Sequence, residues 1–231
     1  MKRLLIVLLI TNSVIAFSQT EKPKDWPNLK KFEMDNKNLP PPAKGEKRVV
    51  FMGNSITQVW KDSDTTFFKN KLYINRGISG QVTEQMWLRF HQDVVALKPA
   101  VVVILAGIND IAENNGPISV HQIYNNIVSM VKLARANKIR VVVSSVLPAN
   151  NFPWRPAIKP ADKVIELNSL FEAYCKANKV VYCDYYSKMV NNEKGLDKAL
   201  AYDGVHPTLA GYKIMEPIVE EAIATALRQK K

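Results

Sequence analysis

Residues 51–60, FMGNSITQVW, set Ser55 just beyond an apolar run, with Gly53 and Asn54 between. A serine there either caps a helix or acts as a nucleophile at the carboxyl end of a buried strand, where open α/β sheets hold their ligands. The second reading needs a general base, and the chain offers only three histidines. His91 stands among Arg89, Phe90 and Gln92 in a helical pattern, and His121 falls in the first turn of another, both ordinary settings. His206 lies two residues after Gly204 and just before Pro207, so its imidazole is held on a loop. Asp203, three residues earlier, can reach one ring nitrogen while the other faces outward. An Asp-x-x-His pair often arises by chance, but with Ser55 it supplies what acyl transfer needs. A serine hydroxyl is a poor nucleophile until a neutral imidazole takes its proton, and a carboxylate fixes the tautomer of that imidazole. The oxyanion then needs preorganised donors, for which the backbone N–H groups of Ser55 and Gly80 and the side-chain amide of Asn109 are candidates.

These residues must be brought together by the elements that carry them. Five apolar, β-branched runs recur along the chain: RVVFMG from 48, LYINRG from 72, AVVVILAG from 100, RVVVSSVLP from 140 and VVYCDYY from 180. Continuous apolar runs suit strands buried on both faces. Between them lie segments of helical period, including Met86, Phe90, Val94 and Leu97 from Thr83 onward, and Ile123, Ile127, Met130 and Leu133 from Ser119 onward. Residues 161–179 and the carboxyl-terminal segment supply two more. Strands joined by helical crossovers predict a three-layer α/β/α sandwich around a five-stranded parallel sheet. Functional groups in such a sheet collect where strands end, and Ser55, Gly80, Asn109, the loop 148–160 and the pair Asp203 and His206 follow the five runs in order.

At 231 residues, 47% apolar and 23% charged, the chain suits one domain with one core. Residues 1–18 pair Lys2 and Arg3 with an apolar run and small residues at Ala16 and Ser18, which reads as a secretory signal peptide cut before Gln19. The mature protein is then expected to be periplasmic or extracellular, with no stable membrane span. No cysteine stands beside that cut to receive a lipid. Residues 19–47 are polar and punctuated by prolines. They read as an amino-terminal arm, with Trp26, Leu29 and Phe32 as candidate anchors, leading into a domain over residues 48–231. The formal charge of +11 falls by two, to +9, when Lys2 and Arg3 leave with the signal. The lysines are scattered rather than gathered in a stripe with interleaved aromatics, so nucleic acid is not an expected partner. Cys175 and Cys183 are the only cysteines; export would permit a bridge, and two small buried residues fit equally well.

The blocks GNSIT, GISG, GIND and DGVHP, in that order and each at a strand end, resemble those of the SGNH hydrolases, also called the GDSL esterases and lipases. The resemblance runs from about Val49 to Tyr212 and implies a flavodoxin-like sheet of order 2-1-3-4-5. It also implies a catalytic set of Ser55, His206 and Asp203, with Ser55, Gly80 and Asn109 as the oxyanion hole and no cofactor or metal. Two departures stand out. The family block usually reads Gly-Asp-Ser where this chain has Asn54, and Gly-Asp-Thr is common where this chain runs Gly80, Gln81, Val82, Thr83.

The reading that follows is a secreted serine esterase that removes an acyl group, expected to be acetyl, from a carbohydrate or related small molecule. No Gly-x-Ser-x-Gly elbow surrounds Ser55, which counts against an α/β-hydrolase. The histidines do not cluster with carboxylates at ligand spacing, which counts against a metallophosphoesterase. A lysophospholipase or thioesterase would need a long apolar channel, and a catalytically silent carbohydrate-binding protein could share the fold. The loop 148–160 mixes Phe152 and Trp154 with Asn150, Asn151, Arg155 and Lys159, which suits a sugar or an anionic group better than a fatty tail. Trp154 and Arg155 are the expected substrate contacts, by stacking and by directed donors respectively.

Overall fold

The computed structural model describes residues 25–69 and 71–229. The expected signal peptide and residues 19–24 of the arm lie outside the described residues. Five strands form one parallel sheet of order β2-β1-β3-β4-β5, with β1 Val49–Gly53, β2 Tyr73–Gly77, β3 Val101–Leu105, β4 Arg140–Ser144 and β5 Val181–Cys183. Every residue of β1 and β3 is buried, as valine-rich strands covered on both faces should be. The helices are α1 Glu33–Asn38, α2 Ser55–Ser63, α3 Thr65–Phe68, α4 Thr83–Asp93, α5 Ile108–Ile111, α6 Val120–Ala136, α7 Ala161–Asn178, α8 Tyr186–Met189 and α9 Leu209–Arg228. Among them α2 packs with α9 in one layer, while α4, α6 and α7 pack side by side in the other. This is the three-layer sandwich and the strand order that the sequence predicts.

Register decides where the chemistry can assemble. Gly53 pairs with Gly77 on one side and with Leu105 on the other, so β1, β2 and β3 end level with one another. The segments that follow, carrying Ser55, Gly80 and Asn109, therefore leave the sheet along one edge. Beneath Ser55, the ring of Trp60 stacks on Phe67 and Tyr212 with centroids 5.0 and 5.2 Å apart. The Tyr212 hydroxyl donates to the Ile56 carbonyl at 2.8 Å. That bond fastens α9 to the first turn of α2.

Three local features differ from the sequence reading or settle what it left open. The periodic segment from Thr83 is not one helix: α4 stops at Asp93, and Val95–Leu97 forms a separate 3-10 turn. Two consecutive valines, then Lys98 in the left-handed region and Pro99, give the α-helix no reason to continue, yet Val94 and Leu97 remain buried. Cys175 and Cys183 are free and buried, and burial pushes both thiols up to about 12. The arm is more structured than its composition implies, forming a 3-10 turn at Leu29–Phe32 followed by α1. Phe32 lies against the Arg76 guanidinium, 4.7 Å from its ring centroid, but Leu29 is exposed and does not anchor the arm through its side chain. Main-chain carbonyls add to the hold. Gln85, Gln81 and Gln92 donate side-chain amides to the carbonyls of Trp26, Pro27 and Leu29, at 2.7, 2.7 and 2.6 Å.

Candidate active site

Ser55 is the first residue of α2, and the cap belongs to its neighbour. Asn54 Oδ1 accepts the Ile56 N–H at 3.1 Å, which satisfies one of the orphan donors at the helix start. Asparagine and aspartate both do this well, so the departure at position 54 leaves the local geometry of the serine in place. Ser55 Oγ lies 2.9 Å from His206 Nε2, and His206 Nδ1 lies 2.8 Å from Asp203 Oδ2. With the imidazole neutral and its proton on Nδ1, that N–H donates to Asp203 and Nε2 accepts from the serine hydroxyl.

The loop holding the pair is built by the same carboxylate. Asp203 Oδ1 accepts the backbone N–H groups of Val205 at 3.0 Å and His206 at 2.8 Å, folding the segment tightly over Gly204, whose φ of +82° suits glycine. Tyr202 N–H donates to the His206 carbonyl and Thr208 N–H to the Leu200 carbonyl, so the loop closes as a short antiparallel ladder before α9. Partial burial pushes the Asp203 carboxyl up. The His206 N–H, the imidazole and the Val205 N–H outweigh it and hold the group below the ordinary carboxylate range.

Gly80, in the middle of the connection between β2 and α4, has a φ of +77°, a backbone conformation that a side chain would strain. Asn109 sits on α5 and is buried; its Nδ2 donates one hydrogen to the Gln81 carbonyl at 3.0 Å, leaving a second amide hydrogen to donate elsewhere. The next residue, Asp110, receives the Thr83 N–H at 3.0 Å and the Thr83 hydroxyl, while Asn126 Nδ2 donates to Thr83 Oγ1 at 2.9 Å. Burial pushes the Asp110 carboxyl up to about 7 against the opposing pull of the Thr83 donors. The segments 80–83 and 109–110 are thus joined at two consecutive residues.

The structure brings Ser55, Gly80, Asn109, Asp203 and His206 to one edge of the sheet, and it adds Trp154. The Trp154 ring is 44% exposed, packs on Phe152 with centroids 5.3 Å apart, and stands 6.2 Å from the His206 ring at 38°. Arg155 is exposed on the same loop, and its backbone closes turns to Phe152 and Ile158. His91 and His121 are both exposed on helices, and neither bonds to the residues of this edge. Sequence reasoning missed the buried polar residues behind the site, Arg89, Asp93 and Asp110. A signal existed for the first two, since Arg89 and Asp93 stand four apart on the helix face that carries Met86 and Phe90.

A doubly wound parallel sheet of order 2-1-3-4-5, with serine, imidazole and carboxylate in series at its carboxyl edge, is the architecture of the SGNH acylhydrolases as a class. The chain belongs to the GDSL-like lipase/acylhydrolase family, which it matches over residues 51–214. It is similar to the crystal structure of a GDSL-like lipase from Bacteroides thetaiotaomicron VPI-5482, with a TM-score of 0.85 and 50% identity, over 87% of this chain and 98% of that one. It is 27% identical over 158 residues to an acetylxylan esterase of Geobacillus stearothermophilus, covering 62% of this chain and 67% of that protein. It is also 33% identical over 123 residues to the lipoprotein YqeF of Bacillus subtilis (strain 168), covering 46% of this chain and 51% of the lipoprotein, about half its length. Among the described residues no helix is long and apolar enough to cross a membrane.

Proposed function

We propose that this acylhydrolase is an exported serine esterase that removes small acyl groups, acetyl foremost, from carbohydrate esters. The observation that carries the reading is the unbroken chain from Ser55 Oγ to His206 Nε2 at 2.9 Å and from His206 Nδ1 to Asp203 Oδ2 at 2.8 Å. His206 takes the serine proton as Oγ attacks the ester carbonyl, and Asp203 stabilises the imidazolium that forms. The oxyanion receives hydrogen bonds from the Ser55 and Gly80 N–H groups and from Asn109 Nδ2. The imidazolium then protonates the departing alcohol, and a water activated by the same imidazole releases the acid.

Three points support the sugar ester over a fatty one. The His206 and Asp203 side chains are 30% and 37% exposed, so the centre lies near an open surface on which a saccharide can rest. Trp154 offers an indole face beside the imidazole, suited to a pyranose ring. The acetylxylan esterase relative acts, by its name, on an acetylated sugar polymer. Export is supported by the leader-like residues 1–18 and by the lipoprotein relative. Purified protein assayed on p-nitrophenyl esters of rising chain length, beside acetylated xylo-oligosaccharides, tests the proposal. Activity is expected to peak at acetate and to extend to the oligosaccharides. A preference for long acyl chains would replace it with a lysophospholipase or thioesterase, and a folded but inert protein would leave a binding role.

A further inference from the structure

Among the described residues Arg89 is the most buried cation, with no exposed side-chain surface, so its guanidinium is stable there only if its donors are met. Burial lowers its pKa to about 10, with Asp93 pulling the other way, and it remains charged at neutral pH. Its acceptors come from three separate pieces of chain. Nη2 donates to the carbonyl of Gly53, two residues before Ser55; Nη1 donates to Asp93 Oδ2; Nε donates to Gln81 Oε1 at 2.6 Å.

Gln81, itself buried, is used on every side. Its backbone N–H donates to the Ile78 carbonyl, its carbonyl accepts from Asn109 Nδ2, its Oε1 accepts from Arg89, and its Nε2 donates to the Pro27 carbonyl of the arm. A carboxylate at this position could accept from Arg89 but could not donate to Pro27. The arm meets the same network at its other end, where Asn36 Nδ2 donates to Asp93 Oδ1 at 2.6 Å. Around the tie at Pro27, Asp25, Trp26 and Asn28 form one wall of a groove of about 350 Å³ whose other wall includes Ile78, Ser79 and Gly80.

We infer that Gln81, backed by Arg89, is a positioning residue that fastens the amino-terminal arm to the oxyanion hole and sets the orientation of Asn109. The inference rests on the proposed oxyanion role of Asn109. It gives residues 25–38, all of which precede the part of the chain that matches the family, a share in catalysis without contact with substrate.

A double-mutant cycle in the full chain, assayed on p-nitrophenyl acetate, tests it. Gln81→Met is expected to lower kcat about tenfold with KM nearly unchanged, because only the charge of the transition state feels the displaced amide. In an Asn109→Ala background the same change should cost less than about twofold more, since the group it orients is already gone. Gln81→Glu keeps the acceptor for Arg89 and loses the donor to Pro27, and it should speed amide exchange at residues 78–82 while β1 stays protected. If Gln81→Met does not fold, as judged by near-ultraviolet circular dichroism, Gln81→Glu carries the cycle. Losses that multiply in the double variant, or that fall on KM alone, would overturn the inference. An Asn109→Ala protein with undiminished kcat would instead sink the oxyanion assignment, before Gln81 enters.

Discussion

At the scale of the residue, the decisive groups are few and their failures separable. Ser55→Ala should abolish ester hydrolysis, by up to about 10⁶ in kcat, while the melting temperature holds, because the hydroxyl contributes chemistry rather than packing. Retained activity in that folded variant would end the esterase reading. Asp110 makes a different prediction. Burial pushes its pKa up to about 7, above the ordinary carboxylate value of 3.8, so the folded state keeps a proton that the unfolded chain has released between those values. Its contribution is therefore fully present below about 3.8 and is lost as pH rises to about 7. In urea titrations, Asp110→Asn should gain on the parent protein as pH climbs through that window, and parallel curves would show that Asp110 titrates normally. The Asp203 carboxyl has the opposite sign: its pKa is held below the ordinary value, so its contribution is present above the unfolded value and fades in acid.

Among the elements, the loop between β4 and α7 invites the most direct experiment. Trp154→Ala should reduce kcat/KM on an acetylated oligosaccharide well beyond the reduction on p-nitrophenyl acetate, whose small leaving group hardly needs the loop. Equal losses on both, with a lower melting temperature, would mean that the indole only braces Phe152. The strands were legible in the sequence because each is a continuous apolar run, and continuous runs belong to strands buried on both faces. Ser55, Asn109, Asp203 and His206 could be picked out as candidates because each follows such a run, and because only three histidines compete for the base. The end of α4 was not legible, since Val94 and Leu97 keep the helical period and remain buried although the backbone has left the helix. The fastening of the arm was hidden for another reason. Much of it depends on main-chain carbonyls at Trp26, Pro27 and Leu29, and a carbonyl has the same chemistry whatever side chain it carries.

Across the whole molecule, the arm and the sandwich act as one body. A chain beginning at Leu39 would leave Arg76 without Asn36 and Phe32, Asp93 without Asn36, and three glutamine amides without their carbonyls. Calorimetry is expected to show a melting temperature lower by about 5–10 °C, as the loss of a few kcal/mol implies for a domain of this size. An unchanged transition would reduce the arm to a passive leader. The pairing of Ser55 with His206 carries its own consequence, because the two residues lie 151 positions apart in sequence. The nucleophile belongs to the first strand crossover and the base to the loop before the last helix, so no early fragment of the folding chain can hold both. Contacts of such long sequence separation close late, after the loop entropy between them has been met. Recovery of esterase activity after dilution from denaturant should therefore lag behind the recovery of helix and strand signals, and enzyme turnover becomes a clock for the final step of folding. Under the proposed export, a chain still threading through a channel with its last forty residues yet to emerge would carry Ser55 with no base beside it and hydrolyse nothing.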